Sequence, residues 1–296
     1  MLSTCKYWVD GVLRVGGHAL RMGTPKGRNR CYDSFMLGQD GGAGDHKSWL
    51  YTSLAGGNVP AAEVAAARAV MDARTFRQEY EASFEQYAGC VYYAFSRTGN
   101  VKSCPYDPLL PLLVGMDFNI NPMSAAVFQE RACGALWQVG EIVLPTSNTD
   151  EMVAALKERY GRAGFDPSSP DVSHITVYPD PAGAQRRTSA AGRTDIGILQ
   201  AAGFKVVAMS RHPLVRDRVN VLNGLFCTAA GVRRLFVDAS CVASIKCYEQ
   251  LTYKVGSSEP DKASGLDHLP DAAGYFVYTR FAVKPAQCAQ STHMGR

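Results

Sequence analysis

Short apolar runs bounded by Gly, Pro and Asn alternate along the chain with stretches whose apolar residues recur every three or four positions. The first pattern predicts strands and the second helices. Leu112–Val114 predicts a buried strand. After the Asn121-Pro122 turn come a second strand over Ser124–Gln129 and a third over Ala135–Leu144, the last interrupted by Gly140-Glu141. Three consecutive strands with short links make an antiparallel meander. A helix over Glu151–Tyr160 follows, with Met152, Leu156 and Tyr160 on one face and Thr149 or Asp150 as its cap. Beyond it the pattern reads as strand Ile175–Tyr178, helix Asp195–Ala202 and strand Lys205–Met209. Helices Asp217–Thr228 and Ser240–Tyr253 then flank a strand over Arg234–Val237. A last helix runs to Phe281 with Pro270 in its first turn, where the missing N–H costs nothing.

The N-terminal third is less regular. Trp8–Val15 reads as a helix end or an irregular lead-in, Ala19–Met22 as a short strand, and Asn29–Leu37 as a short helix. Gly38–Gly44 is a Gly/Asp-rich loop and Trp49–Leu54 another strand. Pro60 opens an alanine-rich helix over Ala61–Ala73, with Glu63 near its positive end. Thr75–Phe84 places Phe76, Tyr80 and Phe84 on one helical face, a core stripe. Val91–Phe95 reads as a strand, and Ser96–Pro111, with Gly99, Pro105, Pro108 and Pro111, as a connector. The expected organisation is therefore a first domain over 1–95, a linker over 96–110, an alternating α/β domain over 111–285 and a tail over 286–296.

Composition narrows the class. With 296 residues, 46% hydrophobic and 20% charged, the chain has the make-up of a soluble globular protein of one large or two modest domains. A formal charge of +4 permits a nucleic-acid partner without demanding one. The nine cysteines form no Cys-x-x-Cys pair and no zinc-type cluster, so they read as reduced thiols of a cytosolic protein. No apolar run approaches the ~20 residues of a membrane helix, no signal peptide is visible at Met1, and no internal repeat occurs. A phosphate-binding Gly-x-x-x-x-Gly-Lys-Ser/Thr loop is also missing, so this chain alone is not expected to turn over ATP.

Three acidic stations carry the candidate chemistry. Asp117 ends the first strand of the meander, where packing does not call for an acid, and Asp180 ends the strand Ile175–Tyr178. Asp271 lies in the first turn of the last helix, with His268 three residues before it and Asp267 four before it, positions that share a helix face. Asp117 also has a plainer reading as a turn cap, and Asp267 as a cap or a solvated charge, a reading that Asp271 fits poorly. A fourth strand lying next to the first would bring Asp117 and Asp180 together, with Asp271 beside them. Carboxylates converging without compensating lysines repel one another unless a hard divalent cation is bound, and all-oxygen ligation suits Mg²⁺ or Mn²⁺. Two such ions can activate a water and stabilise the leaving oxygen of a phosphodiester. Arg186, Arg187 and Arg193 follow Asp180 in an Ala/Ser/Gly-rich loop and are candidates for holding backbone phosphates. Gly23-Thr24-Pro25-Lys26-Gly27 is a glycine-bounded turn, either a plain strand-to-helix loop or a phosphate-adjacent one.

Several segments together resemble the bacteriophage terminase large subunit, the DNA-packaging motor and nuclease. They are Gly23–Asn29, Phe76–Phe84, Gly115–Asn119 with Pro122–Ala125, Tyr178–Gly183 and Asp267–Tyr275. The resemblance implies a ribonuclease-H-like mixed sheet flanked by helices, preceded by an incomplete P-loop-ATPase-type α/β remnant. It implies Asp117, Asp180 and Asp271 as metal ligands and His268 as an assisting group. Thr24 and Lys26 would be remnants of the motif that couples ATP hydrolysis to DNA movement. The implied activity is metal-dependent endonucleolytic cutting of double-stranded DNA in the host cytoplasm. The implied partners are the portal, the small terminase subunit and a separate N-terminal ATPase fragment.

The chain departs from the family in lacking the ATPase segment upstream of the coupling loop. The departure suggests a C-terminal portion, from a split gene, a truncated prophage remnant or a restarted reading frame. Two rival readings remain. One is a DNA- or portal-docking fragment without cutting activity. The other is a ribonuclease-H-like resolvase or integrase, against which the ATPase-like remnant argues.

Overall fold

The computed structural model describes residues 6–9, 12–15, 22–25, 30–39, 47–85, 89–164, 170–185 and 193–282. The chain divides into two units, Met1–Val64 with Phe76–Gln86 and Ala65–Thr75 with Tyr87–Arg296.

In the first unit, β1 (Lys6–Val9) and β2 (Val12–Val15) pair antiparallel, with Val9 opposite Val12. This corrects the helical or irregular reading of Trp8–Val15. Asp10-Gly11 between two runs rich in valine and aromatics is a hairpin signal, and it prevails over the weak helical spacing. Helix α1 spans Arg30–Met36, and Phe84 packs its ring on Tyr32 and Phe35 at 5.1 and 5.2 Å. The strand expected over Trp49–Leu54 does not form. Trp49 and Tyr51 are 63% and 67% exposed, and Ser53 N–H donates to the Tyr80 carbonyl at 2.9 Å rather than to a neighbouring strand. An apolar run makes a strand only where an edge is offered to it. Helices α2 (Ala61–Val70) and α3 (Ala73–Tyr80) follow, of which the stretch Ala65–Thr75 belongs to the second unit. Phe76 and Tyr80 stack at 5.3 Å, while Arg77 closes on both oxygens of Glu85 at 2.7 and 2.9 Å. Thr24 is exposed, whereas Ala19–Arg21, Lys26 and the tail over 286–296 lie outside the described residues.

The second unit begins earlier than the expected boundary. Val91, Tyr92 and Ala94 form a buried turn, not a strand. Tyr92 meets Tyr248 edge-on at 5.4 Å. Asn100, buried at the end of α4 (Arg97–Asn100), donates to the carbonyls of Phe226 and Leu235 at 3.0 and 2.8 Å. The next two residues, Val101–Lys102 (β3), pair parallel with the later strand Leu235–Asp238. A linker makes few contacts with what it joins. Here the aromatic residues at 92, 93 and 95 need burial, and they bind the segment expected as a connector to the domain after it.

The elements that follow are β4 (Leu112–Asp117), β5 (Met123–Glu130), β6 (Leu136–Leu144), α5 (Thr149–Tyr160), β7 (Ile175–Pro179), α6 (Asp195–Ala201), β8 (Lys205–Val206), α7 (Val215–Phe226), β9 (Leu235–Asp238), α8 (Val242–Gln250) and α9 (His268–Phe281). They build a seven-stranded sheet in the order β3-β9-β6-β5-β4-β7-β8. The meander β4-β5-β6 is antiparallel and every other pairing in this sheet is parallel, so the sheet is mixed, as the resemblance implies. Helix α5 takes neither Thr149 nor Asp150 as its cap. Asn148 does this, its side chain accepting from the Glu151 N–H at 3.0 Å.

Strand β4 is buried along its whole length, and the period of two divides its side chains between two cores. Leu112, Val114 and Met116 join Met152, Leu156 and Leu199 from α5 and α6. Leu113 joins residues of α7, α8 and α9 on the other face. There Phe276 is fully buried between Phe128 and Tyr178, at 4.9 and 5.1 Å. Burying one such ring is worth about 1.5–3 kcal/mol. By the same alternation Gly115 and Asp117 face α9. Close approach of that helix is possible because position 115 has no Cβ: one added there would overlap the Ala272 carbonyl.

Candidate metal centre

Asp117 and Asp180 are brought together by strand pairing. Strands β4 and β7 run parallel with Met116 beside Pro179, and the Asp180 N–H donates to the Met116 carbonyl at 2.9 Å. The two acids therefore end neighbouring strands, whose backbones lie about 4.8 Å apart. Asp180 also caps the short 3-10 turn Pro181–Ala184, accepting from the Ala182 N–H at 2.9 Å. Gly183 in that turn lies flat against the Phe118 ring, where a Cβ would collide with it.

The third station arrives from α9. His268 Nδ1 stands 3.3 Å from Asp117 Oδ2, and Asn119 Nδ2 stands 3.0 Å from the same ring nitrogen. Asp271, one turn further on, faces Arg218 of α7, with Nη1 and Oδ1 2.9 Å apart. Gly274 lets Arg218 pass close to α9, since an added Cβ would meet the arginine Cβ at 3.3 Å. The Arg218 guanidinium also lies over the Tyr275 ring, 4.4 Å from its centre. The acids sense one another. Burial pushes the Asp117 carboxyl above the usual range; the His268 hydrogen bond pulls it down, but Asp271 and Asp180 add to the rise. The hydrogen bond to Asp117 raises the His268 imidazole, against the effect of its burial.

The centre differs from the expected one in its countercharges. The carboxylates do not converge without compensating cations. Lys262 Nζ lies 3.0 Å from Asp267 Oδ2 and 3.1 Å from Asp271 Oδ2, and His212 Nδ1 lies 3.3 Å from Asp180 Oδ1. Burial pulls the Lys262 ammonium down, but Asp271 and Asp267 together outweigh it and hold the group above its ordinary value. Asp267 is 4% exposed and makes no capping hydrogen bond, so neither the cap nor the solvated charge of its plainer reading applies. As the side chains stand, no group of three His, Cys, Asp or Glu among the described residues is arranged to hold a metal ion. The donor chemistry nonetheless fits a hard divalent cation. The donors are oxygens with one imidazole, burial and then the neighbouring acids hold Asp117 against its own ionisation, and Asp267 Oδ1 is buried without a hydrogen-bond partner.

The arginine loop is only partly described. Arg186 and Arg187 lie outside the described residues. Arg193 precedes α6 and faces Asp150 of α5 at 3.8 Å, both side chains being well exposed.

The large terminase of a thermophilic bacteriophage superposes on this chain with a TM-score of 0.63 at 16% identity, covering 87% of this chain and 61% of its own. The same terminase in complex with ATP-γ-S gives a TM-score of 0.62 at the same identity, covering 86% and 61%. The fold is that of a phage large terminase. The nuclease domain of the P22 large terminase aligns at 15% identity with a TM-score of 0.49, over 66% of this chain and 94% of that domain. No protein-family model matches the sequence, and a search of curated proteins gives no match. The chain spans about 61% of the length of the thermophilic phage's terminase.

Within this terminase fold, sequence reasoning did not reach Arg218, Lys262, His212 and Asn119. Asn119 stands in the Gly115–Asn119 segment that carries the resemblance, and of the other three only Arg218 left a signal. It shares a face of α7 with Leu222, Leu225 and Phe226, and an arginine on an apolar stripe calls for a buried partner. Lys262 and His212 come from segments between elements, and nothing in their own neighbourhoods points to the acids.

Proposed function

We propose that this chain is the nuclease part of a phage-type terminase large subunit and cuts double-stranded DNA during genome packaging in the host cytoplasm. On this reading the N-terminal unit carries Thr24 and Lys26 of an ATPase coupling motif. The partners are the portal and the small terminase subunit. One observation supports the reading above the others: Asp117 and Asp180 end neighbouring parallel strands of a terminase-type sheet, and α9 adds His268 and Asp271 at the same end.

Mg²⁺ or Mn²⁺ would be held by Asp117, Asp180 and Asp271. When bound it supplies an activated water at neutral pH and charge stabilisation for the leaving oxygen. The chain's own residues do the remaining work. Asp117 orients the His268 ring, its Oδ2 lying 3.3 Å from Nδ1. The hydrogen bond to Asp117 raises the His268 imidazole, which supports a role for His268 in delivering a proton to a departing oxygen. Arg218 fixes Asp271 and offsets its charge. Arg186, Arg187 and Arg193 hold backbone phosphates without reading sequence.

The test is cutting of supercoiled plasmid by the purified chain in Mg²⁺, in Mn²⁺ and with excess chelator. Nicked and linear products in either metal, absent with chelator, are expected. A folded chain that binds duplex DNA but never cuts it in Mn²⁺ overturns the enzymatic reading and leaves a docking module.

A further inference from the structure

Asp267 opens α9 with helical backbone angles, φ −90° and ψ −22°, and its carboxylate caps nothing. It is 4% exposed, and its two oxygens have different fates. Oδ2 lies 3.0 Å from Lys262 Nζ, while Oδ1 is buried with no hydrogen-bond partner, His268 Nε2 standing 3.9 Å away. The same ammonium lies 3.1 Å from Asp271 Oδ2, whose other oxygen belongs to Arg218. One Lys262 ammonium therefore sits between two carboxylates of a four-carboxylate cluster. A lysine head is a compact point charge with three donors, so it satisfies such a pair as a small hydrated cation would.

Charge counting points the same way. Asp117, Asp180, Asp267 and Asp271 face two permanent cations, Arg218 and Lys262, besides the imidazoles of His268 and His212, which leaves at most two negative charges. One divalent ion neutralises them. A second would leave at least two uncompensated positive charges beside mostly buried carboxylates, where unpaired charge is costly.

We propose that Lys262 is a resident cation of this centre. It fills the subsite between Asp267 and Asp271, so that the centre takes one divalent metal ion instead of two. The proposal rests on the metal-centre reading given under the proposed function. Asp267 becomes a positioning residue: it holds the lysine head against Asp271.

The test counts Mn²⁺ bound per full-length chain, from the electron paramagnetic resonance signal of the unbound ion. Wild type is expected to bind one. Lys262→Met is expected to bind two, Lys262→Arg one, and the double variant Lys262→Met/Asp267→Asn one again. Lys262 has a side chain 55% exposed, and thermal melts check that each variant folds. Two ions on wild type overturn the proposal and leave the metal centre standing. No ion on wild type overturns both. One ion on both wild type and folded Lys262→Met overturns the proposal alone. Should Lys262→Met not fold, one ion on wild type with two on Lys262→Ala supports the proposal, and one on each overturns it.

Discussion

Gly115 of β4 lies against the carbonyl of Ala272 in α9, so closely that any side chain at position 115 would displace the helix. The contact sets the depth at which α9 sits on the sheet, and with it the distance of Asp271 and His268 from Asp117. Gly115→Ala is expected to destabilise the chain by about 1–3 kcal/mol, the usual cost of overpacking a core. Urea unfolding measures it. Because the clash is with backbone, which cannot rotate away, any plasmid cutting should fall further than stability does.

How much of this arrangement was legible in the sequence depends on how local its cause is. The meander and β7 follow from apolar runs ending in Asp117 and Asp180, and α9 follows from Pro270 and its neighbours. Asp267 reads as a cap from its position alone. Only the tertiary structure, which buries it beside Lys262, excludes that. Lys262, His212 and Arg218 reach the acids from three separate segments, and no spacing rule connects them. The failed strand at Trp49–Leu54 has the same cause, since strand formation needs a partner edge that the run itself does not specify. The pairing of β1 with β2, by contrast, has a local signal, the Asp-Gly pair that stands between them in the sequence.

Arg218 and Asp271 form a buried ion pair, with side chains 6% and 14% exposed and 2.9 Å between charged atoms. Removing one partner of such a pair costs about 3–5 kcal/mol, since the other is left buried and uncompensated. Arg218→Met is therefore expected to destabilise strongly. The double variant Arg218→Met/Asp271→Asn should recover part of the loss. A double-mutant cycle by denaturant unfolding gives the coupling, and simple additivity would mean that the two charges do not depend on each other.

Asp238 ties the end of β9 to the segment leading into β4, accepting from the N–H groups of Cys104 and Ser240 at 2.6 and 2.9 Å. Its burial raises the carboxyl, but the hydrogen bonds from Ser240 and Cys104 together outweigh this and hold it below the ordinary 3.8. A lowered native value stabilises the fold above the unfolded value, and this stabilisation is lost as pH falls through the native one. Wild type should therefore exceed Asp238→Asn in stability at neutral pH. The gap should close only in acid, below 3.8. Thermal melts across that range check it, and a gap that does not vary with pH would contradict the assignment.

The arginine loop is tested by salt. Each DNA phosphate that the protein ceases to neutralise should flatten the slope of log affinity against log salt by roughly 0.9 for a duplex. Replacing Arg186, Arg187 and Arg193 by alanine should weaken binding equally for all sequences and leave Mn²⁺ affinity unchanged, since arginines are not ligands. An unchanged slope would mean that the loop does not touch the DNA backbone.

The central claim is that Asp117, Asp180 and Asp271 together form the metal centre that cuts DNA. Anomalous scattering from crystals soaked in Mn²⁺ tests it most directly. The account predicts a manganese peak within about 2.0–2.3 Å of carboxylate oxygens from these three residues, the usual ligand range for small divalent ions, and its loss in Asp117→Asn. A soaked crystal with no peak at this end of the sheet, or with its manganese bound elsewhere, would contradict it.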